Sequence, residues 1–429
     1  MRSFLARHSE FVSNVAIIMS GRTLAAMIAL FTMPIVARLF VPSDFGVAAI
    51  FVSIASILST LASLRYEAAV VLPKENAEAV TLVALAYRIA FSIAASFMIL
   101  IGIYELSGLN WPTLELLGYW MWLVPLCVLL LAGLHIQESW LTRTKHFKLI
   151  SGSLVAGNSI TAGSRIGFGA FFGSSILGLI TGYLIGLISR LAIQHKASRE
   201  GLKAALQRMG WPAMKDTAQR YSDFPKLNAP AGLVFSTGQN LPVLLFGTMF
   251  SPSVAGLYAM ANRLAQVPVA IVANSMRRVF LQKAATIIHD GRSLNRAFLL
   301  ATGGLALLGI LPILCLWFFG QELSTWLLGS RWTDAGRYLE IMAPWLFMLW
   351  IESPCNPVFV VLRKQKFWLS LQTVLTLLRL AAFGLAILMG SSPEWTLQAF
   401  VIASVAGNIL TILTALALIS RQPIESRQS

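Results

Sequence analysis

Five arginines lie inside long apolar segments of the chain, where a cation is unusual. A charged side chain in the hydrocarbon core of a membrane costs at least about 2.5 kcal/mol, so these residues are expected to face a protein interior or a water-filled space. The planar guanidinium group can donate two hydrogen bonds to one phosphate, which suits it to phosphate or diphosphate. The predicted substrate-binding residues are Arg22, Arg88, Arg165, Arg263 and Arg379.

Two features of these segments have alternative interpretations. Arg88 lies near the end of its segment, so its side chain could instead extend to the membrane surface. Serine and threonine recur on the helical faces of Arg165 and Arg379, but such stripes are more typical of helix packing than of a cavity lining. Acidic residues in these segments are too few to neutralise the arginines, which favours a cationic, water-filled cavity over internal ion pairing.

Four acidic residues near the ends of apolar segments are predicted to be coupling residues, namely Glu67, Glu138, Asp223 and Glu352. A carboxylate that takes up and releases a proton could couple a transport step to the proton gradient. Glu138 and Glu352 form a matched pair in the two halves of the chain. The alternative is that each acid pairs with a nearby arginine, such as Arg65, Arg143 or Arg363.

Motifs that carry enzyme chemistry are missing from the sequence. It contains no H-E-x-x-H zinc site, no P-loop and no D-x-D sugar-nucleotide site. The three cysteines are far apart and have no metal-ligand spacing. We therefore predict a protein that is not an enzyme, with no catalytic residue, no metal and no cofactor.

The composition predicts which elements position these residues. The chain of 429 residues is 57% hydrophobic and 12% charged, whereas soluble domains carry about 25% charged residues. Together with the mean hydropathy of +0.73, this excludes a soluble enzyme, a secreted module and a disordered chain. An integral membrane protein remains.

Twelve apolar segments are long enough to cross a membrane as helices, which requires about 20 residues each. They are continuous runs rather than short alternating strands, so we predict an all-α integral membrane fold and exclude a β-barrel. The predicted spans cover residues 12–39, 45–64, 79–104, 117–137, 149–172, 175–194, 226–249, 254–276, 294–319, 338–361, 367–390 and 396–419.

The excess of basic residues predicts how the chain crosses the membrane. There are 33 Lys and Arg against 18 Asp and Glu, a balance that in a soluble protein would suggest nucleic-acid binding. With the N-terminus in the cytoplasm, most of these basic residues fall on the cytoplasmic side, and Arg38, Arg331 and Arg337 fall outside. Because this follows the positive-inside rule, we predict cytoplasmic termini and no nucleic-acid partner.

Short motifs recur in order in the two halves of the chain. Phe40–Gly46 and Phe250–Gly256 share the pattern F-x-P-S-x-x-G, and Arg143–Leu149 resembles Arg363–Leu369. A repeated unit with an even number of spans has parallel topology, and transporters built this way bind substrate between two halves that rock alternately. The predicted domains are an N-terminal six-helix bundle over 1–195, a cytoplasmic linker over 196–221 and a C-terminal six-helix bundle with a short cytoplasmic tail over 222–429.

Several of these motifs resemble one family of membrane transporters. Ala37–Gly46, Arg65–Ala69, Tyr221–Pro225 and Gly256–Leu264 are similar, in this order, to motifs of the Wzx-type polysaccharide and O-antigen flippases. These flippases form the polysaccharide transporter family of the multidrug/oligosaccharidyl-lipid/polysaccharide exporter superfamily. The resemblance covers nearly the whole chain and implies two six-helix bundles around a cationic central cavity.

The resemblance also implies a substrate and a location. The substrate is expected to be an undecaprenyl-diphosphate-linked oligosaccharide that moves from the cytoplasmic to the periplasmic leaflet of the bacterial inner membrane. Such units serve O-antigen, capsule or exopolysaccharide synthesis. The arginines are expected to bind the diphosphate or acidic sugars while the polyprenyl tail stays in lipid. A polysaccharide polymerase and a chain-length regulator are the implied partners.

Three other classes of function are weighed against this one. A cation-coupled drug or small-metabolite antiporter of the same superfamily would need buried acids, which are scarce here. A membrane polysaccharide polymerase or ligase would need a large external catalytic loop, whereas the longest predicted external segment covers about 320–337. A non-catalytic membrane scaffold would have no need of five arginines inside its spans.

Overall fold

The chain folds into α-helices. The computed structural model describes residues 2–207 and 210–421, and no β-strand occurs in these ranges, as the all-α prediction expects. Shorter elements are 3-10 helices at Gly118–Leu123 and Ser330–Trp332 and a π-helical turn at Phe224–Asn228. The α-helices are α1 Arg2–Leu39, α2 Pro42–Ala62, α3 Tyr66–Ala69, α4 Asn76–Ser107, α5 Pro112–Glu115, α6 Val124–Arg143, α7 Phe147–Phe172, α8 Ile176–Gln207, α9 Trp211–Arg220, α10 Ala229–Met249, α11 Pro252–His289, α12 Asn295–Leu328, α13 Thr333–Ile351, α14 Cys355–Val361, α15 Gln365–Leu388 and α16 Pro393–Ser420.

Eight helical segments in the described part of the chain are long and apolar enough to cross a membrane, which supports a multi-pass membrane protein. The remaining predicted spans also fall on helices, in α7, α10, α11 and the α13–α14 pair, which is interrupted at Glu352. The number of twelve spans stays a prediction. The eight segments are Met19–Leu39, Pro42–Ala62, Asn76–Ser107, Gly118–Arg143, Ile176–Lys196, Asn295–Leu328, Gln365–Leu388 and Pro393–Ser420.

Proline and glycine mark several helix ends. Pro42 begins α2 and Pro252 begins α11, at positions where the missing N–H has no helical acceptor and the fixed φ suits the first turn. Gly108 ends α4 with a φ of 63°, a left-handed conformation that glycine adopts without a steric cost. The breaks between the long helices therefore follow from local sequence.

Three basic residues adopt the same left-handed backbone without being glycines. Arg65 follows α2, Lys145 follows α6 and Arg363 follows α14, with φ values of 63°, 60° and 55°. A Cβ atom makes this conformation costly. All three residues lie in segments that are predicted to face the cytoplasm.

The chain divides into two compact units, Met1–Gly256 and Leu257–Ser429. In the first unit α7 packs against α1 and α8, and α2 packs against α6 and α10. In the second unit α13 packs against α12 and α16, and Phe280, Phe298 and Phe359 belong to a buried core cluster. The domain boundaries predicted around 196–221 stay a prediction.

The two copies of the F-x-P-S-x-x-G motif contact each other in the first unit. A Cβ atom on Gly46 would lie 1.7 Å from the carbonyl oxygen of Pro252, and one on Gly256 would lie 1.9 Å from the carbonyl oxygen of Pro42. The contact is reciprocal, because each copy supplies both a glycine and a carbonyl group. Only residues without a side chain allow the first turns of α2 and α11 to approach this closely.

A second close approach joins α12 and α13 in the other unit. A Cβ atom on Gly336 would lie 2.3 Å from the carbonyl oxygen of Gly320. Just before this point Phe319 leaves helical geometry, with φ −127° and ψ 21°. The backbone N–H of Gln321 donates to the buried Glu340 carboxylate at 3.1 Å. A side chain from α13 therefore stabilises the kink in α12.

We expect Gly336→Ala to destabilise the protein by about 1–3 kcal/mol, because the added methyl group meets backbone that cannot move aside easily. Gly304→Ala on α12 is the matched control, since nothing lies within 4 Å of a Cβ atom there and alanine favours a helix over glycine. Thermal unfolding in detergent micelles compares the two variants, and equal midpoints would contradict the close contact.

Candidate functional site

A polar network joins α13, α15 and α16 in the second unit. The guanidinium group of Arg379 donates to Oδ1 of the fully buried Asn408 at 2.7 Å. The amide nitrogen of Gln372 lies 3.4 Å from Oε1 of Glu352 and 3.4 Å from Oγ1 of Thr411. The charges of Arg379 and Glu352 also interact. The structure thus brings together one predicted substrate-binding arginine and one predicted coupling acid.

Two donors in this network have no acceptor among the described residues. Nε of Arg379 and Nδ2 of Asn408 are both buried and unpaired. A buried donor without an acceptor costs about 1–3 kcal/mol, so each of these two atoms would gain from an acceptor oxygen. Gly407 of α16 faces the same guanidinium group, since a Cβ atom there would lie 3.4 Å from Nη2 of Arg379.

Charged residues of α6, α8 and the α2–α3 turn have partners in the first unit. Arg190 of α8 donates to the Glu138 carboxylate of α6, and both side chains are mostly buried. Ser63 donates to Oε2 of the buried Glu67 at 2.5 Å, and Arg65 lies 3.5 Å from its other oxygen. Both predicted coupling acids in these elements are therefore paired with an arginine.

The other predicted site residues have separate surroundings. Arg165 is buried between α7 and α8, where its Nε donates to the Leu179 carbonyl oxygen at 3.2 Å and its side chain packs over Gly182. Cζ of Arg88 lies 5.2 Å from the centre of the Trp211 ring, in a cation–π contact. The exposed members of the predicted set are Arg22, Arg88, Arg263 and Asp223.

Contacts at the predicted cytoplasmic surface hold α9 in place beside α3 and α4. The Tyr66 hydroxyl donates to the Ala218 carbonyl oxygen at 3.1 Å, and Arg220 forms an ion pair with Glu78 at 2.8 Å. Partial burial raises the pKa of Tyr66 above its usual range. Partial burial and the Glu78 carboxylate raise the pKa of Tyr221 in the same direction. These contacts fix the helix that carries Trp211.

Some residues of these networks are not singled out by the sequence. In the sequence, Arg190 is one of many basic residues on the predicted cytoplasmic side and would be assigned to membrane topology. In the structure, it forms an ion pair with Glu138. Asn408 lies in an otherwise apolar helix and carries no charge. The sequence feature that could have identified Asn408 is its spacing from Ser404 and Thr411. This spacing places the three polar residues on one face of α16, and all three are fully buried.

Comparison with solved structures defines the class of protein. The chain shares the fold of the lipid II flippase MurJ in its inward closed conformation, with a TM-score of 0.74, 14% identity, and 93% of this chain and 87% of that chain covered. It also shares the fold of an inward-facing multidrug resistance MATE family transporter of the MOP superfamily, with a TM-score of 0.65, 11% identity, and 97% and 99% covered. The chain therefore has the fold that these two membrane transporters share.

Comparison of sequences defines the family. The family model described as polysaccharide biosynthesis protein matches residues 35–337, which is more than half of the chain, so the chain belongs to this family. It is 24% identical over 341 residues to the succinoglycan biosynthesis transport protein ExoT of Rhizobium meliloti, covering 76% of this chain. The chain spans 63% of the length of that relative. The family resemblance predicted from the motifs is confirmed.

We expect a double-mutant cycle on Glu138→Gln and Arg190→Gln to give a coupling energy of about 1–3 kcal/mol. Either single substitution leaves the opposite charge without its partner, whereas the double variant removes both charges. The same cycle on the exposed pair Asp290 and Arg292 is the control and should give about 1 kcal/mol or less. Thermal unfolding in micelles supplies the free energies, and equal coupling in both cycles would contradict a structural role for the buried pair.

Proposed function

We propose that this chain is a flippase for undecaprenyl-diphosphate-linked oligosaccharide units. It moves them from the cytoplasmic to the periplasmic leaflet of the bacterial inner membrane, for O-antigen, capsule or exopolysaccharide synthesis. Membership of the polysaccharide biosynthesis family and the MOP-type transporter fold support this proposal. The relative ExoT is named a succinoglycan biosynthesis transport protein, which points to the same class of product.

The pair of unpaired donors at Arg379 and Asn408 carries the proposal. Nε of Arg379 and Nδ2 of Asn408 are buried beside each other's side chains, and each needs an acceptor. Diphosphate oxygens are strong acceptors, and hydrogen bonds to a charged partner are about twice as strong as neutral ones. A cationic drug would not find a free carboxylate at Glu67 or Glu138, because both acids already have arginine partners.

The proposed transport cycle is alternating access. Twelve helices in two six-helix bundles, over 1–195 and 222–429, rock about a cationic cavity while both termini stay in the cytoplasm. Arg379 binds the diphosphate, and Arg22, Arg88, Arg165 and Arg263 are the further candidates for it or for acidic sugars. Glu352 is the coupling candidate with the most support, because its network also contains Arg379. A polymerase and a chain-length regulator would receive the product.

We expect Arg379→Ala to abolish surface polysaccharide production and to make the lipid-linked intermediate accumulate, because the guanidinium donors are lost. Arg379→Lys should retain part of the activity, since an ammonium group keeps the charge but not the planar fork. The measurement is glycan analysis in a strain whose chromosomal copy of the gene is deleted and replaced by each variant. Immunoblots of membranes verify equal protein levels.

The control for this experiment is Arg296→Gln, which removes an exposed arginine from the first turn of α12. It should restore the glycan fully. Normal glycan with Arg379→Ala would contradict the assignment of Arg379. Normal glycan and no accumulated intermediate in the deletion strain itself would contradict the flippase proposal.

We expect Gly256→Ala to block transport, because the new methyl group forces the first turn of α11 away from the Pro42 carbonyl oxygen.

Both helix starts are predicted to lie on the external side, so the separation of the first turns of α2 and α11 should expose Ser43. Labelling of Ser43→Cys by a membrane-impermeant maleimide, in a Cys315→Ser background, measures this exposure, since Cys127 and Cys355 are buried. Gly152→Ala, where nothing lies within 4 Å, is the control. Unchanged labelling with full transport would be the contrary result.

A further inference from the structure

A groove of about 740 Å³ lies between α4, α6 and α8, within the first unit. Ligand pockets in proteins typically have volumes of about 300–1,000 Å³, so the groove is large enough to hold part of a small amphipathic molecule. Most of its wall is hydrocarbon, from Phe91, Leu129, Leu130, Ile188 and Leu191.

The polar part of the lining lies at one level of the helices. At 1.5 Å per residue, the stretch from Arg88 to the end of α4 at Ser107 is about 28 Å long. The stretch from the start of α8 at Ile176 to His195 is also about 28 Å long. The hydrocarbon layer is about 30 Å thick. Measured from the external ends of the two helices, Arg88 and His195 therefore lie at the same depth, close to the far side of a hydrocarbon layer of this thickness, although the predicted span 79–104 continues past Arg88. The apolar wall lies at the depth of the acyl chains.

Basic and aromatic residues surround this polar end. Trp211 lies against the Arg88 guanidinium and is itself exposed, which is typical of tryptophan at a membrane–water interface. Along α8 the exposed residues Lys196, Arg199 and Lys203 continue the positive charge beyond His195. Basic pockets between membrane helices on the cytoplasmic side are suited to anionic lipid headgroups.

We propose that this groove binds one anionic phospholipid from the cytoplasmic leaflet. Its phosphate accepts hydrogen bonds from Arg88 and His195, and an acyl chain lies along the apolar wall. Arg88 is the one permanently charged residue among those that line the groove. A single cation matches the one negative charge of a phosphodiester better than the larger charge of a diphosphate. The site therefore serves a membrane lipid rather than the transported substrate. This inference goes beyond the proposed function and takes Arg88 out of its candidates for binding the diphosphate or acidic sugars.

Native mass spectrometry of the purified, delipidated full chain tests the proposal directly. Phosphatidylglycerol is the anionic probe and phosphatidylcholine with the same acyl chains is the neutral probe. We expect phosphatidylglycerol to bind about tenfold more tightly, because both lipids present a phosphate to Arg88 but the ammonium group of phosphatidylcholine brings a second positive charge close to it. Arg88→Gln should reduce its binding to the level of phosphatidylcholine. Ala192→Trp, which fills the groove from an exposed lining position, should weaken binding of both lipids.

Two control variants test whether loss of any arginine, or addition of any tryptophan, affects lipid binding. Arg296→Gln removes an exposed arginine outside the groove, and Leu100→Trp adds a ring to an exposed position of α4 that does not line it. Both should bind phosphatidylglycerol like the unmodified chain, and thermal midpoints verify that every variant is folded. Arg88→Gln keeps the proposal falsifiable if Ala192→Trp fails to fold.

Three results would overturn the proposal. One is equal binding of the two lipids to the unmodified chain, and another is unchanged phosphatidylglycerol binding by Arg88→Gln. The third is displacement of phosphatidylglycerol by an equal concentration of undecaprenyl diphosphate, which would assign the groove to the substrate. Because the readout is the mass of bound lipid rather than transport, failure here is distinguishable from failure of the flippase proposal.

Discussion

A hydrogen-bond donor placed in hydrocarbon has no acceptor there, so it must find one within the protein. The helical backbone meets this constraint for its own N–H groups, and the arginines meet it by reaching a neighbouring helix. Arg165 of α7 donates to the backbone of α8, Arg190 of α8 to Glu138 of α6, and Arg379 of α15 to Asn408 of α16. Each of these arginines therefore joins two helices that pack against each other. Where a donor remains unpaired, as at Nε of Arg379, the same constraint favours an anionic ligand.

The helices could be predicted from the sequence because apolar runs of about 20 residues leave few alternatives. Side-chain partners could not, since they depend on how the helices are arranged. Arg143 was a plausible partner for Glu138, but it donates to the carbonyl oxygens of Val70 and Pro73, and Arg190 pairs with Glu138 instead. Likewise, the repeated F-x-P-S-x-x-G motif is visible in the sequence, whereas the reciprocal contact of its two copies is not. The direction of the Arg22 side chain could not be predicted either, because the position of a residue along a predicted span does not determine which side of the helix it occupies.

The fold alone does not specify the cargo. A lipid II flippase and a multidrug resistance transporter both share it with this chain at 14% and 11% identity, so the difference must lie in side chains. Glu67 and Glu138 are paired with arginines, while Arg379 keeps an unpaired donor, and the anionic cargo that we propose rests on this difference. Selectivity of this kind depends on which charges are already matched inside the protein, and not on the number of charges in the chain.

The left-handed turns at Arg65, Lys145 and Arg363 limit how this protein could be engineered. Glycine at any of these positions would relieve a steric cost of the order of 1 kcal/mol. It would also remove a positive charge from a segment that is predicted to stay in the cytoplasm, and such charges orient the chain during insertion. A variant selected only for heat resistance could therefore accumulate these glycines and insert with mixed topology. Thermal stability and correct insertion are opposing demands on the same three residues.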